Sequence, residues 1–118
     1  MTARILVVDD IEANVRLLEA RLMAEYFQVL TASNGRDALE ICANGQCDIV
    51  LLDVMMPDMD GPTLAKHMRQ HNPKLKIVFI SGYTEDRLKD HMGENIYFLP
   101  KPFTLKQLAQ KVKEALED

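Results

Sequence analysis

The sequence predicts an α/β fold in which a five-stranded parallel sheet is covered by helices on both faces. Short apolar runs of strand length alternate with longer amphipathic stretches of helical period, five times along the 118 residues. The runs are apolar at nearly every position, which is typical of strands buried on both faces of a parallel sheet. A strand followed by a helix, repeated in this way, indicates parallel strands joined by helical crossovers.

In the first half of the chain, two of the three predicted strands end at acidic residues. Asp9 and Asp10 follow the first aliphatic run, and Asp53 follows the third, which is the strongest strand signal in the sequence. The second predicted helix ends near Asn44, beside a glycine that favours a helix C-terminus. The elements predicted here are a strand at 5–8, a helix from 11 to 25, a strand at 29–32, a helix at 37–43 and a strand at 49–52.

In the second half, proline and glycine separate the elements. Pro57, Gly61 and Pro62 mark a loop before the third helix, and Pro73 stops that helix. The last helix carries a leucine and valine stripe at helical spacing. The elements predicted here are a helix at 63–71, a strand at 77–80, a weaker helix at 85–92, a strand at 96–99 and a helix at 105–116.

Composition and charge limit the classes of function. The chain is 47% hydrophobic and 27% charged, which excludes intrinsic disorder and a disulfide scaffold, and its length fits a single domain over 1–118 with no output domain. A net charge of −4 gives no reason to expect direct nucleic-acid binding and favours cations or basic partners. The first apolar run is too short for a signal peptide or a membrane span, so we expect a cytoplasmic protein with no membrane contact.

The two cysteines do not suggest a metal site. Cys42 and Cys47 have a spacing that matches no common zinc pattern, and neither histidine nor further cysteine lies near them in sequence. In a cytoplasmic protein, we expect two reduced thiols, one in the core and one in a loop.

Polar residues follow four of the predicted strands at their carboxyl ends. Asp9 and Asp10 follow strand one, Asp53 strand three, Ser81 strand four and Lys101 strand five. Ligands of open parallel sheets bind outside this edge. If strands one and three are neighbours, their ends lie about 4.8 Å apart and three carboxylates converge.

Three converging carboxylates repel one another unless a cation lies between them. The side-chain candidates are all hard oxygen ligands, so the expected cation is Mg²⁺ rather than zinc or copper. A carboxylate beside Mg²⁺, with a hydroxyl and a lysine nearby, suits phosphoryl transfer, and Asp53 is the expected nucleophile. Taken alone, the pair Asp9 and Asp10 could equally cap the helix that follows; the matching strand ends favour metal binding.

Several motifs in order resemble the receiver domain of two-component response regulators, over essentially the whole chain. These are Ile5-Leu6-Val7-Val8-Asp9-Asp10, the segment from Asp48 through Asp53 and Pro57 to Gly61, the pair Ser81-Gly82 and the triplet Lys101-Pro102-Phe103. The resemblance implies a flavodoxin-like (βα)5 sandwich with strand order 2-1-3-4-5, as in the chemotaxis receiver.

The resemblance also implies roles for individual residues. Asp53 would accept a phosphoryl group from a histidine kinase or a histidine phosphotransfer protein. Asp10 would bind Mg²⁺ directly, Asp9 mainly through a metal-bound water, and the Met55 backbone carbonyl would complete the protein's ligands. Lys101, after a bond to Pro102 that would be cis, would pair with Asp53 and then with the phosphoryl group.

A two-state switch is implied as well. Ser81 would bond the phosphoryl group and Phe98 would change rotamer with it, although relatives often carry threonine and tyrosine at these places. A downstream protein would bind the face formed by the fourth predicted helix, the fifth strand and the last helix. Its candidate contacts are Arg87, Lys89, Phe98, Lys106 and Lys113. We expect the fourth helix to be short or irregular, because the lead into strand five is unusual.

Two bulky residues suggest a long-lived phosphorylated state. Met55 and Tyr83 would shield the phosphorus without orienting a water, so we expect slow autodephosphorylation and no other enzymatic activity. The N-terminal half resembles receivers of diguanylate cyclases or stand-alone cell-cycle receivers. The C-terminal half resembles receivers attached to hybrid histidine kinases.

Other functions fit less well. A phosphatase with an aspartate nucleophile would need a second aspartate where Met55 stands, and a flavodoxin would need a phosphate loop where Asp9 and Asp10 would repel phosphate. The alternative that remains is a receiver-like interaction module, which binds a partner or a nucleotide without being phosphorylated.

Overall fold

The computed structural model describes residues 3–44, 47–53, 61–81 and 95–117. Its strands are β1 (Arg4–Val8), β2 (Gln28–Ala32), β3 (Ile49–Asp53), β4 (Lys76–Ser81) and β5 (Ile96–Pro100). The helices in the described ranges are α1 (Glu12–Ala24), α2 (Gly35–Ala43), α3 (Gly61–His71) and α4 (Leu105–Glu117), the last predicted helix. The helix predicted at 85–92 lies outside the described residues. None of the described helices is long and apolar enough to cross a membrane.

The sheet confirms the predicted architecture. All neighbouring strands are parallel and their order is β2-β1-β3-β4-β5. β1 lies between β2 and β3, with Val8 paired to Ala32 on one side and to Leu52 on the other. Because the strands are parallel and in this register, the carboxyl ends of β1 and β3 lie side by side.

Alternate residues of each central strand enter two separate cores. Leu6 and Val8 pack with the side chains of α2 and α3, whereas Ile5 and Val7 pack with those of α1 and α4. The helices contribute Ala38, Cys42, Leu64 and Met68 to the first core and Leu18, Leu22, Leu108 and Val112 to the second. Burial on both faces explains why these strands are continuously apolar in sequence.

Two helices begin at capping residues. α2 starts two residues earlier than predicted, because the Asn34 side-chain oxygen accepts the Asp37 N–H at 2.9 Å and so satisfies a donor of its first turn. Before α4, the Thr104 hydroxyl accepts the Gln107 N–H at 3.1 Å, and the Gln107 side chain accepts the Thr104 N–H at 2.8 Å. This reciprocal pair is a capping box.

The two cysteines agree with expectation, and the structure adds a contact between them. Both are free thiols, as predicted; Cys42 lies in α2, and Cys47 lies between α2 and β3, outside any helix or strand. Its side chain is buried with Cys42 in the core beneath α2 and α3, and the two Sγ atoms lie 3.3 Å apart. Cys47 lies just before β3, and its sulfur contacts that of Cys42 in the last turn of α2.

Candidate functional site: a carboxylate cluster at the carboxyl edge of the sheet

Two buried aspartates lie at the carboxyl edge of the sheet. Asp9 directly follows β1 and Asp53 is the last residue of β3, and their residues are 4% and 2% exposed. Among the described residues, they are the buried charged side chains. A buried carboxylate loses hydration, so two of them in one place require compensating partners.

The three predicted metal-ligand carboxylates come together. One carboxylate oxygen from each of Asp9, Asp10 and Asp53 lies within 4.8 Å of the other two. Asp10 is exposed, so the cluster opens to solvent on its side. The donor set is composed of oxygen atoms alone, which fits a hard divalent cation such as Mg²⁺ better than a soft metal.

Hydrogen bonds fix the position of the Asp9 carboxylate. One oxygen accepts the Ile11 N–H at 2.9 Å, and the other accepts the Asn14 side-chain amide at 3.4 Å. The N-cap of α1 is Ile11, whose side chain makes no capping bond, so Asp9 and Asp10 do not occupy the capping position. The contact with Asn14 was not predicted; its only signal is an amide in the first turn of the helix that follows the acid pair.

The environment raises the pKa of Asp9 above its ordinary value. Burial is the largest cause, and the negative charge of Asp53 adds to it. The bonds from Ile11 and Asn14 and the positive charge of Lys101 act in the opposite direction and reduce the shift. The ionised form of Asp9 is therefore destabilised when no cation is bound, which favours binding of a positive ion beside it.

Lys101 brings a positive charge to the same edge. Its ammonium nitrogen lies 3.6 Å from a carboxylate oxygen of Asp53, and its side chain is 33% exposed. The lysine directly follows β5, and the Lys101–Pro102 bond is cis, as the resemblance implies. The amine thus lies between the buried carboxylate and solvent, where it can contact an incoming anionic group.

The remaining predicted site residues are only partly described. Ser81 is the last residue of β4, paired with Pro100, so its backbone is at the edge where the cluster lies. Phe98 is half-buried in β5 and packs against the core beneath α2 and α3. The Ser81 side chain and the whole of Met55 lie outside what the structure describes. Tyr83, which was predicted to slow hydrolysis, also lies outside the described residues, as do the predicted partner contacts Arg87 and Lys89.

Relatives of known sequence match nearly the whole chain. The chain is 46% identical over 121 residues to the sensor kinase CckA of Brucella abortus (strain 2308), and this match covers 98% of the chain. It is 47% identical over 118 residues to the response regulator PleD of Caulobacter vibrioides, which covers 96% of this chain. The matches span only 13% and 26% of the lengths of these two proteins.

Solved structures agree with the fold. The receiver domain of the hybrid histidine kinase CckA superposes with a TM-score of 0.83 at 38% identity, covering 96% of this chain and 98% of that domain. The response regulator TrrA of Thermotoga maritima, solved in complex with Mg²⁺ and BeF, superposes with a TM-score of 0.85 at 32% identity. The superposition covers 98% of this chain and 99% of TrrA. A family described as the response regulator receiver domain matches residues 5–113. By fold, site and sequence, the chain belongs to the receiver domains of two-component response regulators.

Proposed function

We propose that the chain is a phosphorelay receiver, which accepts a phosphoryl group on Asp53 from a phosphohistidine donor in a Mg²⁺-dependent reaction. The observation that carries this proposal is the buried carboxylate of Asp53, clustered with two further carboxylates and paired with Lys101 at 3.6 Å. A nucleophile, a cation site and an ammonium group at one open edge are the parts that phosphoryl transfer needs. The donor would be a histidine kinase or a histidine phosphotransfer protein.

The residues present fit Mg²⁺. Asp10 would bind the ion directly, Asp9 through a water, and Asp53 and the Met55 carbonyl would complete the ligand set. Bound Mg²⁺ would neutralise charge on the phosphoryl oxygens. The similar Thermotoga maritima protein, solved with Mg²⁺ and BeF, supports this assignment.

We assign Asp53, Lys101, Ser81 and Phe98 separate tasks in the transfer. A carboxylate oxygen of Asp53 attacks phosphorus, the phosphorus–nitrogen bond to the donor imidazole breaks, and the imidazole leaves with the electron pair. The Lys101 ammonium, already beside this carboxylate, would move to the transferred group and hold its charge. Ser81 would bond the same group, and Phe98 would change its packing in response.

Partner binding completes the proposal. The face that includes β5 and α4 would bind a downstream protein in the cytoplasm, and Lys106 and Lys113 are exposed on α4. Phe98 lies on β5, whereas Arg87 and Lys89 lie outside the described residues. The fit of the chemical residues to phosphoryl transfer makes this proposal preferable to an interaction module that is never phosphorylated.

The phosphorylated state should be long-lived. The bulk of Met55 and Tyr83 would exclude water from the line of attack on phosphorus, so the phosphorylated Asp53 would be hydrolysed slowly. This autodephosphorylation would be the only reaction that the chain catalyses besides the transfer itself. A phosphate half-life of seconds in the isolated domain would contradict slow hydrolysis, and so would a Tyr83→Ala variant with an unchanged rate.

Intact mass tests the acceptor directly. Wild type, Asp53→Asn and Glu114→Gln are incubated with Mg²⁺ and acetyl phosphate; Glu114 is an exposed acid on α4 and serves as the matched control. We expect a gain of about 80 Da on wild type and on the control, none on Asp53→Asn, and none on any form with excess chelator. No mass gain on wild type that binds Mg²⁺ would favour the interaction module.

A further inference from the structure

Cys42 and Cys47 lie in contact, near the edge of the sheet opposite the carboxylate cluster. Cys42 is in the last turn of α2, and Cys47 precedes β3, the strand that ends at Asp53. Their sulfur atoms are 3.3 Å apart, about 1.3 Å more than a disulfide bond. We propose that these two thiols form a reversible oxidation site, which a hydroperoxide converts to an intramolecular disulfide.

The backbone on each side of the pair is held in place. The Asn44 N–H donates to the Glu40 carbonyl at 3.2 Å and ends α2 just beyond the first cysteine. Beyond the second cysteine, the Asp48 N–H donates to the Arg4 carbonyl at 2.8 Å, and the Arg4 N–H donates back to an Asp48 carboxylate oxygen at 2.8 Å. The sulfur contact is therefore set by the fold, which brings the thiols together before any oxidant arrives.

The pair lies at the margin of the core, within reach of a small oxidant. Each cysteine is 3% exposed, yet Ala43, Asn44 and Asp48 beside them in sequence are exposed. Helix ends open locally more readily than core elements, and a hydroperoxide is little larger than water.

The two thiols are not equivalent. The hydrogen-bonding contact with Cys47 lowers the pKa of Cys42, although burial acts against this shift. The same contact, together with burial, raises the pKa of Cys47. The thiolate is the reactive form, and the lowered pKa favours it at Cys42; the disulfide itself rests on the sulfur contact and is the same whichever thiol reacts first.

The reaction takes place in two balanced steps. The Cys42 thiolate attacks one peroxide oxygen, the oxygen–oxygen bond breaks, and Cys42 becomes a sulfenic acid while hydroxide leaves. The Cys47 sulfur then attacks the Cys42 sulfur, its proton leaves with the displaced hydroxyl as water, and the disulfide forms. Two thiols lose two electrons in total, and hydrogen peroxide is reduced to two waters. A thiol reductant reverses the change by exchange.

Counting thiols tests the proposal, because the chain contains no other cysteine. Folded wild type is treated with a small excess of hydrogen peroxide, quenched with catalase, denatured, and labelled with N-ethylmaleimide for mass analysis. We expect the two labels of the reduced protein to disappear together and both to return after reduction. Methionine oxidation adds mass but leaves the label count unchanged.

Cys42→Ser and Cys47→Ser are the matched controls. Neither can form the intramolecular disulfide, so peroxide should leave a sulfenic acid on the remaining cysteine, which dimedone labels; oxidised wild type should carry no such label, because the neighbouring thiol traps this product. The comparison within wild type does not depend on variant folding. Loss of single labels, loss that reduction does not reverse, or dimedone labelling of oxidised wild type would overturn the proposal.

Discussion

Asp9, one of the proposed cation ligands, destabilises the metal-free fold when it is ionised. Its carboxylate is buried beside Asp53, and burial is the main reason that its pKa is raised. In the pH range between its unfolded and folded pKa values, the folded protein holds more protons on this group than the unfolded chain does. Stability therefore falls as pH rises through that range, and the ionised group destabilises the metal-free fold at neutral pH.

Asp9→Asn should accordingly stabilise the metal-free protein. The amide removes the buried negative charge, and its oxygen can still accept the Ile11 N–H. We expect the unfolding temperature at pH 7 in chelator to rise by roughly 2–5 °C. Thermal unfolding with Glu12→Gln, an exposed acid on α1, provides the control. A lower unfolding temperature for Asp9→Asn would show that the carboxylate stabilises the fold through its hydrogen bonds.

We also expect the effect of Asp9→Asn on the unfolding temperature to depend on pH. The difference in unfolding temperature between Asp9→Asn and wild type should be largest at neutral pH, where Asp9 is ionised in both the folded and the unfolded state. It should decrease as the pH falls through the raised pKa of the folded state and vanish below 3.8, the ordinary value, because the group is then protonated in both states. Thermal unfolding in chelator between pH 3 and pH 8 measures this difference. A constant difference would contradict the charge as its cause.

At this scale, the sequence predicted which residues lie together at the edge of the sheet but not what surrounds them. The rule that polar residues at the carboxyl ends of parallel strands converge correctly brought Asp9, Asp10, Asp53 and Lys101 to one edge. It could not show that Asn14 bonds Asp9, because that contact depends on how α1 leaves the sheet. The contact between Cys42 and Cys47 was equally hidden, since it depends on the path of the chain between α2 and β3.

At the scale of the element, local hydrogen bonds decide where helices begin. The helical spacing of apolar residues predicted α2 and α4, but this spacing does not define the first residue of a helix. A helix begins where the amide groups of its first turn find acceptors. Asn34 supplies such an acceptor for α2, so the helix includes Gly35 and Arg36, which precede the predicted start at 37. Thr104, just before α4, and Gln107, in its first turn, form a sequence signature of the same kind.

The capping box of α4 should contribute measurably to stability. Thr104→Ala removes the oxygen that accepts the Gln107 N–H, and we expect a loss of about 1 kcal/mol in the free energy of unfolding. Thr104→Ser retains the oxygen and should remain close to wild type. Denaturant unfolding measures both variants, and equal losses for alanine and serine would assign the effect to the methyl group of threonine instead of the cap.

At the scale of the whole molecule, the strand order could not come from periodicity. β1 and β3 are both continuous aliphatic runs, and nothing in either run says that they are neighbours while β2 lies at the edge of the sheet. The order followed from the resemblance, and the register then explains the site: Val8 pairs with Leu52, so the residues after β1 lie beside the end of β3. Strand pairing across more than 40 residues is a property of the complete fold.

Because the proposed cation site exists only when β1 and β3 are paired, Mg²⁺ should stabilise the whole fold. A ligand that binds only the folded state adds about 2.7 kcal/mol at 100 times its dissociation constant. We expect the unfolding temperature of wild type to rise with Mg²⁺ concentration and that of Asp10→Asn to rise far less. Asp10 is exposed, so this substitution should leave the metal-free fold intact.

Ionic strength must be separated from specific binding in this measurement, because the chain has a net charge of −4 and any salt screens its self-repulsion. Sodium chloride at matched ionic strength should shift wild type and Asp10→Asn equally and by less than Mg²⁺ shifts wild type. If sodium chloride reproduced the whole Mg²⁺ effect, the carboxylates would be responding to screening alone. A Mg²⁺ shift that is lost in Asp10→Asn would instead tie cation binding at the edge of the sheet to the stability of the complete fold.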